Sequence, residues 1–451
     1  MLSGVGGGLR TCRLSLPSHV TTTTRLLFRR QRIFSTLRKN EKQKVIVISG
    51  PTGAGKSRLA IELAKSLNGE IISADSVQVY KGLDVGSAKP SLRDRKEVPH
   101  HLIDILHPSE EYSVGQFFED ARQATQYILN CGRVPIVTGG TGLFIYGKPD
   151  VPKASHEITS DVYSELRDLQ NDGNWDAAVQ LVVNAGDTKA QYLAANDWYR
   201  LRRSLEIIKS SGLPPSAFQV PYDSFRKQLE SNTDETSPEA SFSDESFENK
   251  RSQDLDYEFI CFFLSSQRLD LYRLIDSRCE DMLSGAGSDG LLAEVRWLLD
   301  VGLLPHSNSA TRAIGYRQAM EYLLRCRQQG GRSSPSEFYN FLFEFQKASR
   351  NFAKRQMTWF RNETIYHWLD ASKPLEKVLD FICNAYHDDS GVLTVLESLK
   401  MRNNISSTRE SNLLKSYRTQ NRQFVSREDC AGVLDWIWRT QGCRDTAKYV
   451  Q

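Results

Sequence analysis

Short runs of apolar, β-branched residues alternate with amphipathic segments along the first third of the chain. Residues 45–49 (VIVIS) predict a buried strand, and residues 58–67 carry leucine, isoleucine and alanine at helical spacing. Residues 70–73 and 133–138 predict two more strands, with a helix over residues 114–129 between them. Strands alternating with helices are typical of α/β proteins, so the pattern predicts a parallel sheet flanked by helices.

The pattern changes after about residue 150. Helical spacing dominates to residue 213, residues 228–254 are acidic and Ser-rich with few aliphatic residues, and residues 257–264 (YEFICFFL) predict another strand. A last strand is expected at 364–369. We therefore predict a leader (1–43), the first half of the α/β core (44–150), a helical insertion (151–215), an acidic disordered loop (216–256), the completion of the core with basic helices (257–371) and a C-terminal extension (372–451).

A phosphate-binding motif follows the first predicted strand. The residues match GxxxxGK[ST] and lie between a strand and a helix, as a P-loop requires. Glycines in such a loop let backbone amides converge on a polyphosphate, the lysine neutralises phosphate oxygens, and the hydroxyl can hold Mg²⁺. This predicts a P-loop NTPase-like fold whose diphosphate or nucleotide site comprises Gly50, Pro51, Thr52, Gly53, Ala54, Gly55, Lys56 and Ser57.

The third strand ends without the carboxylate that anchors the metal of many P-loop NTPases. It runs into Thr138, Gly139, Gly140 and Thr141. The bound phosphate therefore need not belong to a nucleoside triphosphate.

Asp75 follows the second strand directly, in the string SADSVQVY. Ligands of open α/β sheets gather at the carboxyl ends of the strands, so Asp75 could orient an attacking amine or accept its proton. Capping of the next turn is the alternative role for an isolated Asp at this position.

Charge is unevenly distributed along the chain. The net charge is +3, but the first 40 residues hold seven arginines and Lys39 without an acid. Subtracting those eight from the 58 basic residues leaves 50 against 55 acidic, so nucleic-acid binding would need local basic patches. The Arg-, Ser- and Thr-rich leader is typical of a mitochondrial or plastid transit peptide; a cytoplasmic protein with a cationic leader is the alternative.

The eight scattered cysteines form no CxxC pair and favour reduced thiols over a disulfide framework. No histidine lies at zinc-ligand spacing from a cysteine, so no structural zinc is expected. No apolar run is long enough to span a membrane.

One predicted helix carries an unbroken series of cations. Lys347, Arg350, Lys354 and Arg361 are spaced to share a face, with Phe345, Phe352 and Trp359 expected to pack inward on the other. We interpret the basic face as a nucleic-acid contact, with further patches at Arg200, Arg202 and Arg203 and at Arg312, Arg317 and Gln318.

Together these motifs resemble the tRNA dimethylallyltransferase (tRNA isopentenyltransferase, IPP transferase) family, in its eukaryotic, plant-type form without a zinc finger. The resemblance runs from residue 45 to 143 and returns in places up to about residue 370. It rests on the P-loop, ADSVQVYKGLDVGSAKP (74–90), HHLID (100–104), Tyr112, Ser113, Phe117, GGT (139–141), Asn196 and Asp197, Arg200, RSLE (203–206), Arg278, GYRQ (315–318), KRQ (354–356), Thr358, Trp359 and Arg361.

The resemblance implies transfer of a dimethylallyl group from dimethylallyl diphosphate to N6 of adenine 37, flipped out of the tRNA anticodon stem-loop. The product is a source of cis-type cytokinins in plants. The resemblance further implies a monomer, Mg²⁺ held by Ser57, Asp75 as general base, and diphosphate stabilisation by Thr52, Lys56, Ser57 and Arg278, with Thr141 at the nucleotide. The tRNA contacts it implies are Asp75, Ser76, Val77, Gln78, Tyr199, Arg200, Arg203, Arg312, Gly315, Arg317, Arg350 and Lys354.

The chain departs from the family's pattern after Gly142 and Leu143, where residues 144–150 are a few residues short; this could weaken catalysis. Three other functions remain open on the sequence. They are an adenylate dimethylallyltransferase making free cytokinins, a P-loop small-molecule kinase, and a tRNA-binding protein without activity.

Overall fold

The computed structural model describes residues 43–141, 154–193, 197–218, 257–285, 290–361, 363–388, 393–401 and 412–442. Apart from Gln43, these residues belong to one compact unit that begins at Lys44. The predicted leader, the acidic loop and the stretch after Leu143 lie outside the described residues.

A six-stranded sheet forms the centre of the unit, in the order β3-β2-β4-β1-β5-β6. β1 pairs in parallel with β4, β2 with β3 and β4, and β5 with β6. The sheet is therefore of the parallel α/β type that the alternation of strands and helices predicts. The strands are β1 (Gln43–Ser49), β2 (Gly69–Ala74), β3 (His100–His101), β4 (Val134–Gly139), β5 (Tyr257–Ser265) and β6 (Tyr366–Asp370).

The predicted strands all exist, with ends that differ by one or two residues. Val45, Ile46, Val47 and Ile48 of β1 are fully buried, which explains why β1 reads as a continuous apolar run rather than an alternating one. The two-residue β3 is too short to leave a pattern of its own in the sequence.

Helices cover the sheet and extend beyond it. Their bounds are α1 (Lys56–Leu67), α2 (Leu92–Glu97), α3 (Val114–Asn130), α4 (His156–Asn171), α5 (Trp175–Asn184), α6 (Trp198–Ser211), α7 (Arg268–Ser284), α8 (Leu291–Asp300), α9 (Ser309–Arg312), α10 (Tyr316–Gln328), α11 (Pro335–Phe360), α12 (Leu375–His387) and α13 (Ala431–Gln441). Short 3₁₀ turns occupy Thr188–Tyr192 and Pro215–Ala217. In the region read as a helical insertion, α4, α5 and α6 share their own buried cluster, which includes Val162, Val182 and Leu201.

The 26-residue helix α11 starts where local chemistry requires it. The Ser334 hydroxyl accepts a hydrogen bond from the N–H of Glu337, the Glu337 carboxylate accepts one from the N–H of Ser334, and Pro335 occupies the first turn. This capping box with proline satisfies N–H groups that a helix start leaves free.

The C-terminal extension contributes to the interior more than its weak pattern indicates. Phe424, Cys430, Val433 and Ile437 are buried in the same cluster as residues of α7, α10 and α11. Their partners are distant in sequence, so the pattern of residues 372–451 alone could not show this packing.

Candidate active site

The P-loop connects β1 to α1 with the geometry that its glycines allow. Gly53 and Gly55 have φ of 83° and 84°, in the left-handed region that favours glycine. A Cβ on Gly50 would lie 2.3 Å from the carbonyl oxygen of Leu264 in β5. The loop therefore lies tight against the sheet, with the N-terminal end of α1 open to an anion.

Two cations and a hydroxyl gather at this loop, although Arg278 is more than 200 residues away in sequence. Arg278 of α7 donates a hydrogen bond to Thr52 Oγ1 at 3.4 Å, and Lys56 Nζ donates to the Pro51 carbonyl at 2.9 Å. Burial and the neighbouring Arg278 lower the pKa of Lys56 to about 8, and nearby Asp75 partly opposes this shift. Burial also lowers the pKa of Arg278. Two crowded, partly desolvated cations make a site that a polyanion would stabilise.

Asp75 caps the turn after β2 and also lines the cleft, so its position is compatible with both roles that the sequence left open. Its Oδ1 accepts hydrogen bonds from the N–H groups of Val77, at 2.9 Å, and Gln78, at 3.4 Å, so it caps the turn after β2. Oδ2 makes no hydrogen bond with any residue that the structure describes. The carboxylate lines the same cleft as Thr52 and Arg278, so one oxygen fixes its position and the other is available to a substrate.

Gln356 of α11 joins the P-loop to the end of β4. Its Oε1 accepts a hydrogen bond from the N–H of Thr52 at 2.9 Å, and its Nε2 donates to the Gly140 carbonyl at 2.8 Å. A Cβ on Gly140 would lie 2.2 Å from this Nε2, so glycine is needed for the approach. The predicted GGT segment is thus attached to the P-loop through one buried amide.

Glu294 of α8 holds the loop that follows Asp75. Its carboxylate accepts hydrogen bonds from the N–H groups of Asp84, Val85 and Gly86 at 2.6–3.1 Å, and from the Tyr316 hydroxyl at 2.7 Å. Three converging amides form an anion-binding turn that a carboxylate can satisfy. Gly86 and Ser87 of this loop line the cleft.

The cleft encloses about 1420 Å³ and lies between the P-loop side of the sheet and the helices α7, α9, α10 and α11. The predicted site residues that line it are Thr52, Asp75, Ser76, Val77, Thr141, Arg203, Arg278, Arg312 and Arg317. The cations along its lining include Arg203, Arg312, Arg317, Lys347 and Arg355. The cleft therefore combines Thr52 of the P-loop, the carboxylate of Asp75 and a wall rich in cations. Glu111, Glu321 and Glu344 also lie on this wall.

Other predicted tRNA contacts are placed away from the cleft lining. Gln78 is buried, accepts a hydrogen bond from the Ser73 hydroxyl and donates to the carbonyls of Ser87 and Ala88, so it supports the loop. Gly315 has φ of 91° and begins α10 against Phe345. Both positions are structural in this arrangement.

Three predicted basic contacts also lie outside the lining. Arg200 is exposed and pairs with Asp197, and Lys354 is exposed on α11. Arg350 is mostly buried and pairs with the buried Asp276, so the predicted shared face of α11 is divided. Phe352, which was expected to pack inward, lines the cleft instead. Arg355 lines the cleft as well. The Tyr199 side chain, Asn196, Gly142 and Leu143 lie outside the described residues.

Gln356, Glu294 and Arg355 are the site residues to which sequence reasoning gave no role. The KRQ string was quoted only as part of the family pattern, and Glu294 lies in an ordinary helical segment. The sequence around Gln356 or Glu294 does not indicate a site role, because the hydrogen-bond partners of both side chains are far away in the chain.

Metal-binding clusters of side chains were sought among the residues that the structure describes. There, no group of three or more His, Cys, Asp and Glu side chains is placed to hold a metal ion. No helix within the described ranges combines the length and apolar composition of a bilayer span.

The fold and cleft define a P-loop α/β enzyme that binds a phosphorylated substrate beside a carboxylate rather than beside a Walker-type metal strand. The chain belongs to the IPP transferase family, whose model matches residues 78–363; a model described as isopentenyl transferase matches residues 43–101.

Individual relatives agree with the family assignment. The chain is 65% identical to tRNA dimethylallyltransferase 9 of Arabidopsis thaliana, over 92% of this chain and 90% of the relative. It is 36% identical to the tRNA dimethylallyltransferase of Protochlamydia amoebophila, over 78% and 91%. A solved eukaryotic dimethylallyltransferase acting on tRNA matches with a TM-score of 0.55 and 25% identity, over 76% of this chain and 80% of the other. The predicted family and fold are confirmed.

Proposed function

We propose that this enzyme transfers the dimethylallyl group of dimethylallyl diphosphate to N6 of adenine 37 in tRNA. The observation that carries this proposal is the cleft itself, in which a cationic diphosphate site and the carboxylate of Asp75 face the same space. Membership of the IPP transferase family gives the donor and the reaction class.

The P-loop residues stabilise the leaving group. As the C–O bond of the donor breaks, negative charge develops on the diphosphate oxygens. Arg278, Lys56 and the Thr52 hydroxyl lie around the loop that would hold those oxygens. Donors fixed in advance at a developing charge lower the barrier most, so this stabilisation is the main catalytic contribution.

Asp75 handles the acceptor side. The N6 amine of adenine attacks the allylic carbon, and its proton passes to the Oδ2 of Asp75, which the cap through Oδ1 leaves available. The new bonds are N6–C and the O–H bond on Asp75, the broken bonds are C–O and N–H, and the products are prenylated adenine and diphosphate.

Magnesium fits the site through Ser57. Its hydroxyl is exposed at the start of α1 and makes no hydrogen bond with the described residues. Mg²⁺ commonly uses one or two protein ligands together with substrate phosphates, and when bound here it would offset diphosphate charge. Absence of a structural zinc stays a prediction.

The tRNA stem-loop would enter along the basic wall formed by Arg203, Arg312, Arg317, Lys347 and Arg355. Action as a monomer stays a prediction. Phosphate contacts of this kind position the RNA, whereas base contacts would select the adenine.

The test is a prenylation assay with two acceptors. The purified chain is incubated with Mg²⁺, dimethylallyl diphosphate and either an anticodon stem-loop or AMP, and mass spectrometry follows the added C5H8. We expect modification of the stem-loop at adenine 37. Transfer to AMP alone would instead support a cytokinin-forming adenylate dimethylallyltransferase, which the match of residues 43–101 to an isopentenyl transferase keeps in view.

Organelle import is a separate proposal that rests on the composition of residues 1–43. A fluorescent protein carrying this segment should accumulate in mitochondria or plastids. Replacement of the seven arginines by glutamine should leave it in the cytosol, and unchanged targeting would contradict the role of the leader.

A further inference from the structure

Helix α7 carries Arg278 and helix α11 carries Gln356. Each helix contributes some residues to the cleft and others to contacts with the C-terminal extension. Ile275, Arg278 and Cys279 of α7, with Phe345 and Phe352 of α11, line the cleft. Residues 417–424, here called the brace, contact other positions on the same two helices, beginning with Asp276 and Glu280. The site is therefore backed by a segment of the C-terminal extension.

Two buried carboxylates on α7 are bound by the brace. Glu280 is 0% exposed and accepts hydrogen bonds from the N–H groups of Arg422 at 3.0 Å, and of Gln423 and Phe424 at 3.1 Å. Asp276 is 1% exposed and accepts one from the Tyr417 hydroxyl at 2.8 Å. Buried charges persist only when they are paired or fully hydrogen-bonded, so α7 depends on these partners.

The brace also connects α7 to α11. Arg350 pairs with Asp276, donates to Thr419 Oγ1 at 3.0 Å and lies over the Tyr417 ring at 5.4 Å. Gln346 donates to Asn421 Oδ1 at 3.0 Å and to the Asp276 carbonyl at 3.3 Å. The brace, Arg350 and Gln346 therefore fix the spacing of the two helices that carry the diphosphate-site side chains.

We propose that the brace is a positioning element for the diphosphate site and acts through Arg278; this inference rests on the proposed function. Arg278 lies two residues from each buried carboxylate, and within the described part its hydrogen bond is to Thr52 Oγ1. The backbone of α7 therefore determines where the guanidinium lies. Loss of a brace contact leaves a buried carboxylate without one of its hydrogen-bond partners. Helix α7 then shifts so that water can reach this carboxylate, and the shift moves Arg278 away from the P-loop.

The brace can be tested with two full-length variants. Tyr417→Phe removes the hydroxyl bound to Asp276 but keeps the ring under Arg350. Glu280→Gln removes the charge that the three amides surround. For both, we expect the Kd for inorganic diphosphate, measured by calorimetry, and the KM for dimethylallyl diphosphate to rise about three- to tenfold, with tRNA affinity within about twofold of wild type.

A matched control tests whether the tail acts through its charge instead. Lys415 and Arg427 flank the brace, are exposed and make no ion pair with the described residues. The double variant Lys415→Gln with Arg427→Gln should bind diphosphate and tRNA as wild type does. A loss of tRNA affinity in this variant, with normal diphosphate binding in Tyr417→Phe, would overturn the proposal in favour of an RNA contact.

A double-mutant cycle with Arg278→Lys tests the route of the effect. If the brace acts through Arg278, combining Arg278→Lys with Tyr417→Phe weakens diphosphate binding by less than the product of the separate effects. Separate effects that multiply would overturn the proposal, as would unchanged diphosphate binding in folded Tyr417→Phe. Because diphosphate binding is measured without transfer, failure of the wild type to prenylate tRNA would count only against the proposed function.

Discussion

At the scale of single residues, Asp75 combines an observed structural role with the proposed role of general base. One carboxylate oxygen accepts hydrogen bonds from the backbone of Val77 and Gln78, and the other points to no described partner. Removing the whole side chain would therefore remove both the cap of the turn and the proposed proton acceptor. A substitution that keeps the oxygen that caps the turn separates them.

Asp75→Asn is expected to lower kcat about 10²–10⁴-fold, because the amide keeps a carbonyl oxygen for the Val77 N–H but cannot accept the proton. The tRNA Kd should stay near wild type. Single-turnover prenylation and filter binding measure the two quantities. Asp75→Ala, which also loses the cap, should show the same chemical defect with a lower melting temperature; near-normal turnover in Asp75→Asn would exclude Asp75 as the base.

Lys56 gives the site a pH dependence with a definite sign. Burial and Arg278 lower its pKa to about 8, so the ammonium is lost as pH rises through that value. A bound polyanion needs the charged form, and a phosphate ester is already ionised there. The Kd for dimethylallyl diphosphate should therefore rise above pH 8, by up to about tenfold per pH unit.

Calorimetry between pH 7 and 9.5 measures this Kd. Lys56→Arg should bind more weakly at pH 7 but with a flat profile, because guanidinium stays charged over this range. A wild-type profile that is flat to pH 9.5 would show that Lys56 is not the titrating group.

The residues of the proposed site differ in how far the sequence alone predicts them. Thr52, Lys56, Ser57 and Asp75 belong to contiguous motifs, so their types and order predict a phosphate loop and a carboxylate beside it. Arg278 is reached only through family resemblance, and Gln356 has no local signal. Chemistry that is assembled by tertiary packing does not leave a pattern along the chain.

At the scale of elements, α11 connects the halves of the site. Gln356, near its C-terminal end, holds the P-loop and the end of β4, and Arg350, six residues earlier, reaches the brace. The sequence predicts a helix through Lys347, Arg350 and Lys354, as the structure has it. Its basic face was interpreted wrongly as a continuous surface, because a buried acid on another helix pairs with Arg350.

Gln356→Met is expected to raise the KM for dimethylallyl diphosphate and lower kcat, together by about tenfold or more in kcat/KM. The side chain keeps its approximate volume but loses both hydrogen bonds, so Thr52 and Gly140 are no longer tied together. Steady-state kinetics with a saturating stem-loop measures the effect. Thr358→Val, at an exposed position of the same helix, is the matched control and should behave as wild type.

At the scale of the whole molecule, the chain has a small net charge but collects cations along one cleft. Arg203, Arg312, Arg317, Lys347 and Arg355 line it, although the chain without its leader carries more acids than bases. Local charge therefore matters more for RNA than the total. Composition shows only that such a patch is needed. The sequence pointed to Arg203, Arg312 and Arg317, whereas the place of Arg355 follows only from the fold.

Replacing Arg317 and Arg355 by glutamine should weaken tRNA binding and lower the slope of log K against log salt by about 1–2. The Kd for diphosphate should remain unchanged. Titrations of a labelled tRNA at several salt concentrations measure the slope. Lys354→Gln, which removes a cation outside the cleft, should keep the wild-type slope. A larger loss of tRNA affinity in this variant than in the cleft variant would show that RNA binds the exposed face of α11 instead.

The brace follows the P-loop and α7 by a long stretch of chain, and this order affects synthesis of the protein. A nascent chain contains the P-loop and Asp75 long before it contains residues 417–424, yet Glu280 has no amides to bind until the brace leaves the ribosome. The packing of α7 against α11 is therefore completed only after the brace has been synthesised. A stop codon anywhere before codon 417 should yield a chain that quality control degrades, rather than a shortened enzyme with residual turnover.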